Sequence, residues 1–363
     1  MIVLLLGFAL SAVVTFFIIR FERTHSRFTS DRDMSGPQKF HARPVPRIGG
    51  VGIVVGLITS LSVFAMSEVG DTSLGMLLMA CALPAFIAGL AEDLTKTQSP
   101  RRRLFFTACS AGIAAWALGA VVHRTDIPGV DWLVQFTVPA VLVTLFAVAG
   151  VANSINIIDG FNGLAAMCVV LMLTALAYVA FQAQDVVIAR CALAGLGAVM
   201  GFFIWNFPAG LIFLGDGGAY FLGFYVAELS VLLVHRNPDV SPLCPLLMCI
   251  YPIFETVFSM YRRKFVRGRP VGMPDGVHLH SLVYRRLIRW AAGDRTAQVL
   301  TKRNSMTAPY LWVLCMLSIV PAMLFWANSM VLGAFIVGFG VVYTFLYASI
   351  VRFRAPAWLI VRR

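Results

Sequence analysis

Runs of about twenty apolar residues recur along nearly the whole chain, separated by short stretches of glycine, proline and basic residues. A helix must carry about 20 apolar residues to cross about 30 Å of hydrocarbon at about 1.5 Å per residue. On that criterion the 363-residue sequence holds about eleven spans. They lie near residues 1–19, 48–66, 74–91, 104–122, 134–152, 162–181, 187–205, 211–234, 241–260, 309–327 and 330–351. The composition agrees: 59% of residues are hydrophobic and only 13% charged, where a soluble domain has about a quarter charged. The fold class read from this pattern is all-α, a polytopic membrane protein forming one domain over residues 1–363.

The first run lacks a basic start and a small-residue cleavage site and is followed by arginines, so it reads as a retained span with Met1 outside. Basic residues test that topology, because cytoplasmic loops collect Lys and Arg. With the amino terminus outside and the carboxyl terminus cytoplasmic, the inward segments hold 26 of the 29 basic residues. Only Arg124, Arg190 and Arg236 fall on the far side. Adding or removing one span would scatter the charges over both faces. The predicted cytoplasmic loops are 20–47, 92–103, 153–162, 206–218 and 261–308.

The net charge of +12 is thus explained by topology and by contact with anionic membrane lipids. Nucleic-acid binding is excluded as a reading, since the basic loops have no soluble domain to hold a groove against. The seven cysteines fall mostly in apolar runs and form no C-x-x-C pair, which argues against a disulfide framework or a zinc site. Gly197-x-x-x-Gly201 would let two helices approach closely. Leu282–Trp290 mixes apolar and basic residues as a helix lying on the membrane surface would.

Four polar segments interrupt this pattern at one end of the spans: Gly89–Lys96, Asn153–Gly160, Phe213–Gly218 and Asp275–His280. Asp93, Asp159, Asp216 and Asp275 all map to inner helix ends, whereas Glu68, Asp71, Asp126, Asp131, Asp185 and Asp239 map outside. Any one acid could simply cap a helix. Four gathered on one face would attract a divalent cation, and Mg²⁺ takes one or two carboxylates plus phosphate oxygens. Asn153, Asn156 and Asp159 recur every three residues and share one side of a helical end. The glycines around Asp216 would let backbone N–H groups approach a phosphate. His278 and His280 fall on one side if that segment is extended. Glu92, Asp93 and Lys96 could form ion pairs closing a helix, and Arg101, Arg102 and Arg103 read as inward topology charges rather than substrate contacts.

In this order and spacing, Asn153-x-x-Asn156-x-x-Asp159-Gly160-x-x-Gly163-Leu164, Phe213-x-Gly-Asp216-x-Gly218 and Pro274-Asp275-x-x-His278-Leu-His280 resemble a known family. They look like the polyprenyl-phosphate N-acetylhexosamine-1-phosphate transferases. That group includes the undecaprenyl-phosphate GlcNAc-1-phosphate transferases and, more distantly, the phospho-MurNAc-pentapeptide transferases. The similarity runs from His41-Ala-Arg-Pro-Val-Pro-Arg-Ile-Gly-Gly50 to about residue 290.

The resemblance implies that a UDP-linked N-acetylated amino sugar and undecaprenyl phosphate give sugar-diphospho-undecaprenol and UMP. It implies a bacterial inner-membrane enzyme, its site facing the cytoplasm, that starts an O-antigen-type surface polysaccharide, and it leaves open a homodimer. By carry-over, Asp216 and Asn156 would bind Mg²⁺, with Mn²⁺ as a substitute. Asp93, with Glu92 beside it, would engage or deprotonate the lipid phosphate, and Asp159 would shape the nucleotide pocket. Asn153, Lys96, His278, His280, Lys39 and His41 fall on the substrate-binding side. Three departures stand out. Glu92 replaces the first Asp of an Asp-Asp pair, the histidine segment reads His-Leu-His-Ser instead of three histidines, and Glu255 replaces an Asp. The second argues against a pentapeptide-bearing substrate. An ion-coupled transporter or lipid flippase using intramembrane acids is the alternative reading.

Overall fold

The computed structural model describes residues 1–29, 44–66, 73–268, 270, 276–288, 296–354, 356 and 359–361. Lys39, His41 and Asp275 therefore lie outside the described residues. The described chain is helical throughout, with no β-strand beyond a single bridge between Ile288 and Val361.

Eight helices among the described residues are long and apolar enough to cross a membrane. They are α1 (Ile2–Arg20), α4 (Ser73–Thr95), α7 (Thr137–Ile158), α8 (Leu164–Gln182), α9 (Val186–Asn206), α10 (Gly215–Arg236), α14 (Ala297–Leu324) and α15 (Ser329–Val351). Three more of the expected spans coincide with shorter or less apolar helices. α3 (Gly49–Ala65) is apolar but 17 residues long. α5 (Pro100–Ala117) begins with three arginines. The run at 241–260 is two helices, α11 (Leu243–Met248) and α12 (Ile250–Tyr261), divided at Cys249. Pro252 sits in the first turn of α12, where its missing N–H cannot extend α11. Short helices α2 (Glu22–Thr29), α6 (Val130–Val134) and α13 (Leu279–Leu282) complete the chain.

The polar segments expected as loops are largely helix ends. Glu92 and Asp93 close α4, Asn153 and Asn156 close α7, Asp216 opens α10, and α14 starts twelve residues before its expected span. Nor do residues 282–288, the described part of that segment, form a helix lying on a surface: in α13 and the π-turn over Val283–Leu287, the side chains of Leu282, Val283, Tyr284 and Leu287 are all in the core. Four apolar side chains inside the protein outweigh the exposed basic ones in setting its position.

α10 is the central element. Every residue from Gly215 to Leu233 is buried, packed against α4 and α7 with α3, α5, α8 and α9 around it. α1 lies on α9 through the small-residue pair read from the sequence: a Cβ at Gly197 or Gly201 would meet the carbonyl oxygens of Leu4 or Phe8 at 2.1 and 2.3 Å. Without that pair the backbones could not touch.

Candidate active site

The first turn of α10 is held by an acid from another helix. A helix start leaves N–H groups without intrahelical partners, and Asp93 of α4 takes two of them. Its Oδ1 accepts from Asp216 N at 2.9 Å and its Oδ2 from Gly217 N at 2.8 Å. The approach requires glycines. A Cβ at Gly89 would come 2.6 Å from the Asp216 carbonyl oxygen, and Gly215 has φ +77° with the Arg47 carbonyl against its Cα. The glycine-rich turn around Asp216 therefore serves helix packing, and its N–H groups are taken by a carboxylate instead of being aimed at a phosphate.

Residues 46–50 run beside 213–214. Phe213 N donates to Pro46 O, and Gly49 N and Gly50 N donate to Phe213 O and Leu214 O. That pairing sets Arg47 over the acids, its Nε 3.8 Å from Asp93 Oδ1 and its terminal nitrogen 3.9 Å from Asp216 Oδ1. Asp216 also accepts from Asn156 Nδ2 at 2.6 Å and is ion-paired to Arg103. The Arg103 guanidinium lies 5.5 Å over the Tyr220 ring, and Tyr220 donates to Asn153 Oδ1 at 3.2 Å. Asn153 and Asn156 thus both face α10, as their spacing predicted.

Asp159 follows α7 as its C-cap. Burial pushes its carboxyl up to about 7, against the pull of Arg47 and with a further push from Asp216. Next to it, Gly160 lies against His280, whose Nε2 would be 3.4 Å from a Cβ there. Phe161 packs on the His280 ring at 5.5 Å. His280 and His278 stack, with centroids 5.1 Å apart and planes 10° apart. They share one side as expected, but at the start of α13 and not on an extended strand. Glu255 of α12 bonds His278 Nδ1 at 2.8 Å, and Arg263 lies 3.4 Å from His278 Nε2.

Asp93, Asn153, Asn156, Asp159, Asp216, His278 and His280 are therefore gathered at one end of the bundle. Glu92 is turned away from that cluster. The Glu92 carboxylate accepts from Gln98 N at 2.6 Å, and Lys96 ends α4 with φ +56° and its side chain exposed. The helix rotates about 100° per residue, so adjacent acids point apart.

Arg47 and Arg103 belong to the site although the sequence reading gave them only a topological role. For Arg103 a signal existed. Ser99 and Pro100 start α5, and Thr107, Ser110 and Ala114 form its buried stripe. Arg103 continues that stripe at helical spacing, while Arg101 and Arg102 are exposed.

A cavity of about 1330 Å³ opens beside this end. Asn153, Arg101 and Lys264 line it near the acids, Val148, Ala227 and Leu246 farther along, and His123 and His235 at the opposite end.

Residues 75–234, which contain Asp93, Arg103, Asn156 and Asp216, match the family model described as glycosyl transferase family 4. The chain is similar to a probable undecaprenyl-phosphate N-acetylglucosaminyl 1-phosphate transferase of Bacillus subtilis, 28% identical over 68% of each chain. It is also similar to an undecaprenyl-phosphate alpha-N-acetylglucosaminyl 1-phosphate transferase of Thermotoga maritima, 28% identical over 77% of this chain and 81% of the relative. A decaprenyl-phosphate N-acetylglucosaminephosphotransferase of Mycolicibacterium smegmatis is 28% identical over 75% and 70%. The matched segment contains Asp93, Arg103, Asn156 and Asp216, whereas Arg47 precedes it. Glu255 and the histidines lie beyond the match.

Proposed function

We propose that the protein is a phosphoglycosyl transferase that moves an N-acetylhexosamine 1-phosphate from a UDP-sugar to undecaprenyl phosphate and releases UMP. One observation carries the reading: Asp93, Asp216 and Asn156 form a single oxygen-rich cluster under Arg47 and Arg103, beside an apolar cavity that Asn153 lines. Transfer of this kind brings two anions together, so catalysis is mostly alignment and charge neutralisation.

A lipid phosphate oxygen attacks the sugar-bearing phosphorus, the bond to the bridging oxygen breaks, and that oxygen leaves with UMP. A phosphate monoester has a second pKa near 6 and is largely dianionic at neutral pH, so no protein base is required. Asp93 already spends both oxygens on the α10 backbone, which suits a residue that positions Asp216. Arg47 and Arg103 gather the phosphates, and Asp159, His278 and His280 close the nucleotide-sugar side. The apolar cavity takes the polyprenyl chain.

Mg²⁺, or Mn²⁺ in its place, fits the donor set. No three His, Cys, Asp or Glu side chains converge among the described residues, so a cation would rest on Asp216, Asn156 and substrate phosphate oxygens, the hard-oxygen arrangement Mg²⁺ favours. When bound, it neutralises the diphosphate. The charge asymmetry of the chain supports a site on the cytoplasmic face, and the sequence resemblance extends the proposal to a bacterial inner membrane and to initiation of a surface polysaccharide such as O-antigen.

The transporter reading has one feature in its favour, Glu228, buried within α10 with neither carboxylate oxygen hydrogen-bonded among the described residues. A single assay separates the two. Purified protein in detergent, offered UDP-linked GlcNAc, GalNAc, FucNAc and QuiNAc in turn, releases UMP only with both undecaprenyl phosphate and Mg²⁺ present. No release from any donor overturns the enzyme reading.

A further inference from the structure

Outside the acid cluster, α12 and α15 grip the backbone on both sides of His278. Arg262 donates to Val277 O at 2.8 Å, and Glu255 accepts from Leu279 N at 3.2 Å. The same Glu255 oxygen, Oε1, bonds His278 Nδ1 at 2.8 Å, while Oε2 accepts from Tyr343 OH at 2.7 Å. One helical turn along α15, Tyr347 bonds Arg262 at 2.6 Å. Tyr343 and Tyr347 thus brace the two anchors from one face of α15. Phe254 and Phe258 pack on the Tyr343 ring at 4.9 and 5.5 Å.

Glu255 is fully buried, with His278 Nδ1 2.8 Å from one of its oxygens. Burying a carboxylate costs several kcal/mol unless it is well bonded, and an apolar residue would pack there more cheaply. The arrangement makes sense as a means of fixing a ring. A carboxylate that accepts three donors needs the proton on Nδ1, and this turns Nε2 toward Arg263, 3.4 Å away.

Resting on the transferase reading, we propose that Glu255 and Tyr343 are positioning residues. They hold His278 by Nδ1 so that its Nε2 and the Arg263 guanidinium converge on one phosphate oxygen of the nucleotide-sugar donor. Glu255 touches no substrate and acts only through His278. With both ring nitrogens protonated, Nδ1 donates to Glu255 and Nε2 donates to the phosphate beside Arg263.

A double-mutant cycle with an independent spectroscopic readout tests this. E255Q lowers kcat/KM for the UDP-sugar about 10–100-fold, the range for removal of a carboxylate behind a ligating histidine, and E255D recovers most of it. In an H278N background, E255Q causes no further loss. Losses that multiply overturn the proposal, because they show Glu255 acting independently of the ring. Should E255Q fail to accumulate, Y343F serves instead, with a loss of about fivefold that also vanishes in H278N. In protein labelled with ¹⁵N-histidine, the resonance absent from H278N reports a protonated Nδ1 in the parent and loses that signature in E255Q, or in Y343F if E255Q does not accumulate. An unchanged resonance overturns the proposal. This readout needs no turnover, so a parent protein that releases no UMP sinks the transferase reading while the ring geometry is still decided.

Discussion

Asp93, the last buried residue of α4, accepts the backbone N–H groups of both Asp216 and Gly217. Two segments 123 residues apart are thereby locked in register, and the carboxylate of Asp216 is aimed at Asn156 and Arg103. The bond pair also sets a negative charge at the positive end of α10.

Asp93→Asn leaves one oxygen for two donors and turns an amide N–H toward the other. About 1–3 kcal/mol of stability is lost for the unsatisfied buried group, seen as a lower thermal midpoint in detergent, and UMP release falls with it. An unchanged midpoint would show that the cap does not hold α10.

Asp216→Asn removes the one carboxylate that Asn156, Arg47 and Arg103 share. Turnover is abolished while the protein still folds, and the rise in thermal midpoint that Mg²⁺ or Mn²⁺ gives the parent disappears. Near-normal activity with an intact metal-induced shift would refute the metal role.

Arg103→Gln takes away a guanidinium that contacts both Asp216 and the Tyr220 ring. UMP release drops about 100-fold, in line with losing a preorganised charge at the transferring phosphate. Lysine restores part of it, since an ammonium carries the charge without the planar fork. Equal activity in Arg101→Gln and Arg103→Gln would contradict the buried stripe of α5.

Ala227→Phe fills the apolar cavity beside α10. The KM for undecaprenyl phosphate rises about tenfold or more, as expected for losing roughly two buried methylenes' worth of contact, and the KM for the UDP-sugar stays put. A change confined to the UDP-sugar would place the lipid elsewhere.

At the opposite end, Asp185 caps α9 through Ile188 N and is bonded by Arg236 and Asn237. Burial works against its charge, but Arg236, Ile188 N and Asn237 together hold the carboxyl below its ordinary value. A lowered pKa stabilises the fold above the unfolded value near 3.9 and loses that effect as pH falls through the folded value. Asp185→Asn therefore costs about 1–2 kcal/mol at pH 7, and the gap to the parent closes as the pH drops below about 4. A gap that stays constant with pH would mean the charge contributes nothing.

Much of this could be read in the sequence. The apolar runs located the long helices, and the three-residue spacing of Asn153 and Asn156 placed both on one face, because those signals depend only on helix period and bilayer thickness. Glu92 and Asp93 show the limit: two adjacent acids look alike in the chain, yet one is buried under α10 and the other caps Gln98. Arg47 and Arg103 were hidden because an inward arginine has the same sequence signature whether it faces lipid headgroups or a buried carboxylate.

Sequence by itself determined that the chain is helical, membrane-bound and equipped with acids and imidazoles at one end, since hydropathy and charge act locally. Which of those groups meet was decided only by tertiary packing. The pairing of Asp93 with α10, of Asn156 with Asp216 and of Glu255 with His278 joins segments 123, 60 and 23 residues apart in the chain. Such contacts depend on the close approach of glycine-bearing backbones and on the need of each buried polar group for a partner, which no single segment encodes.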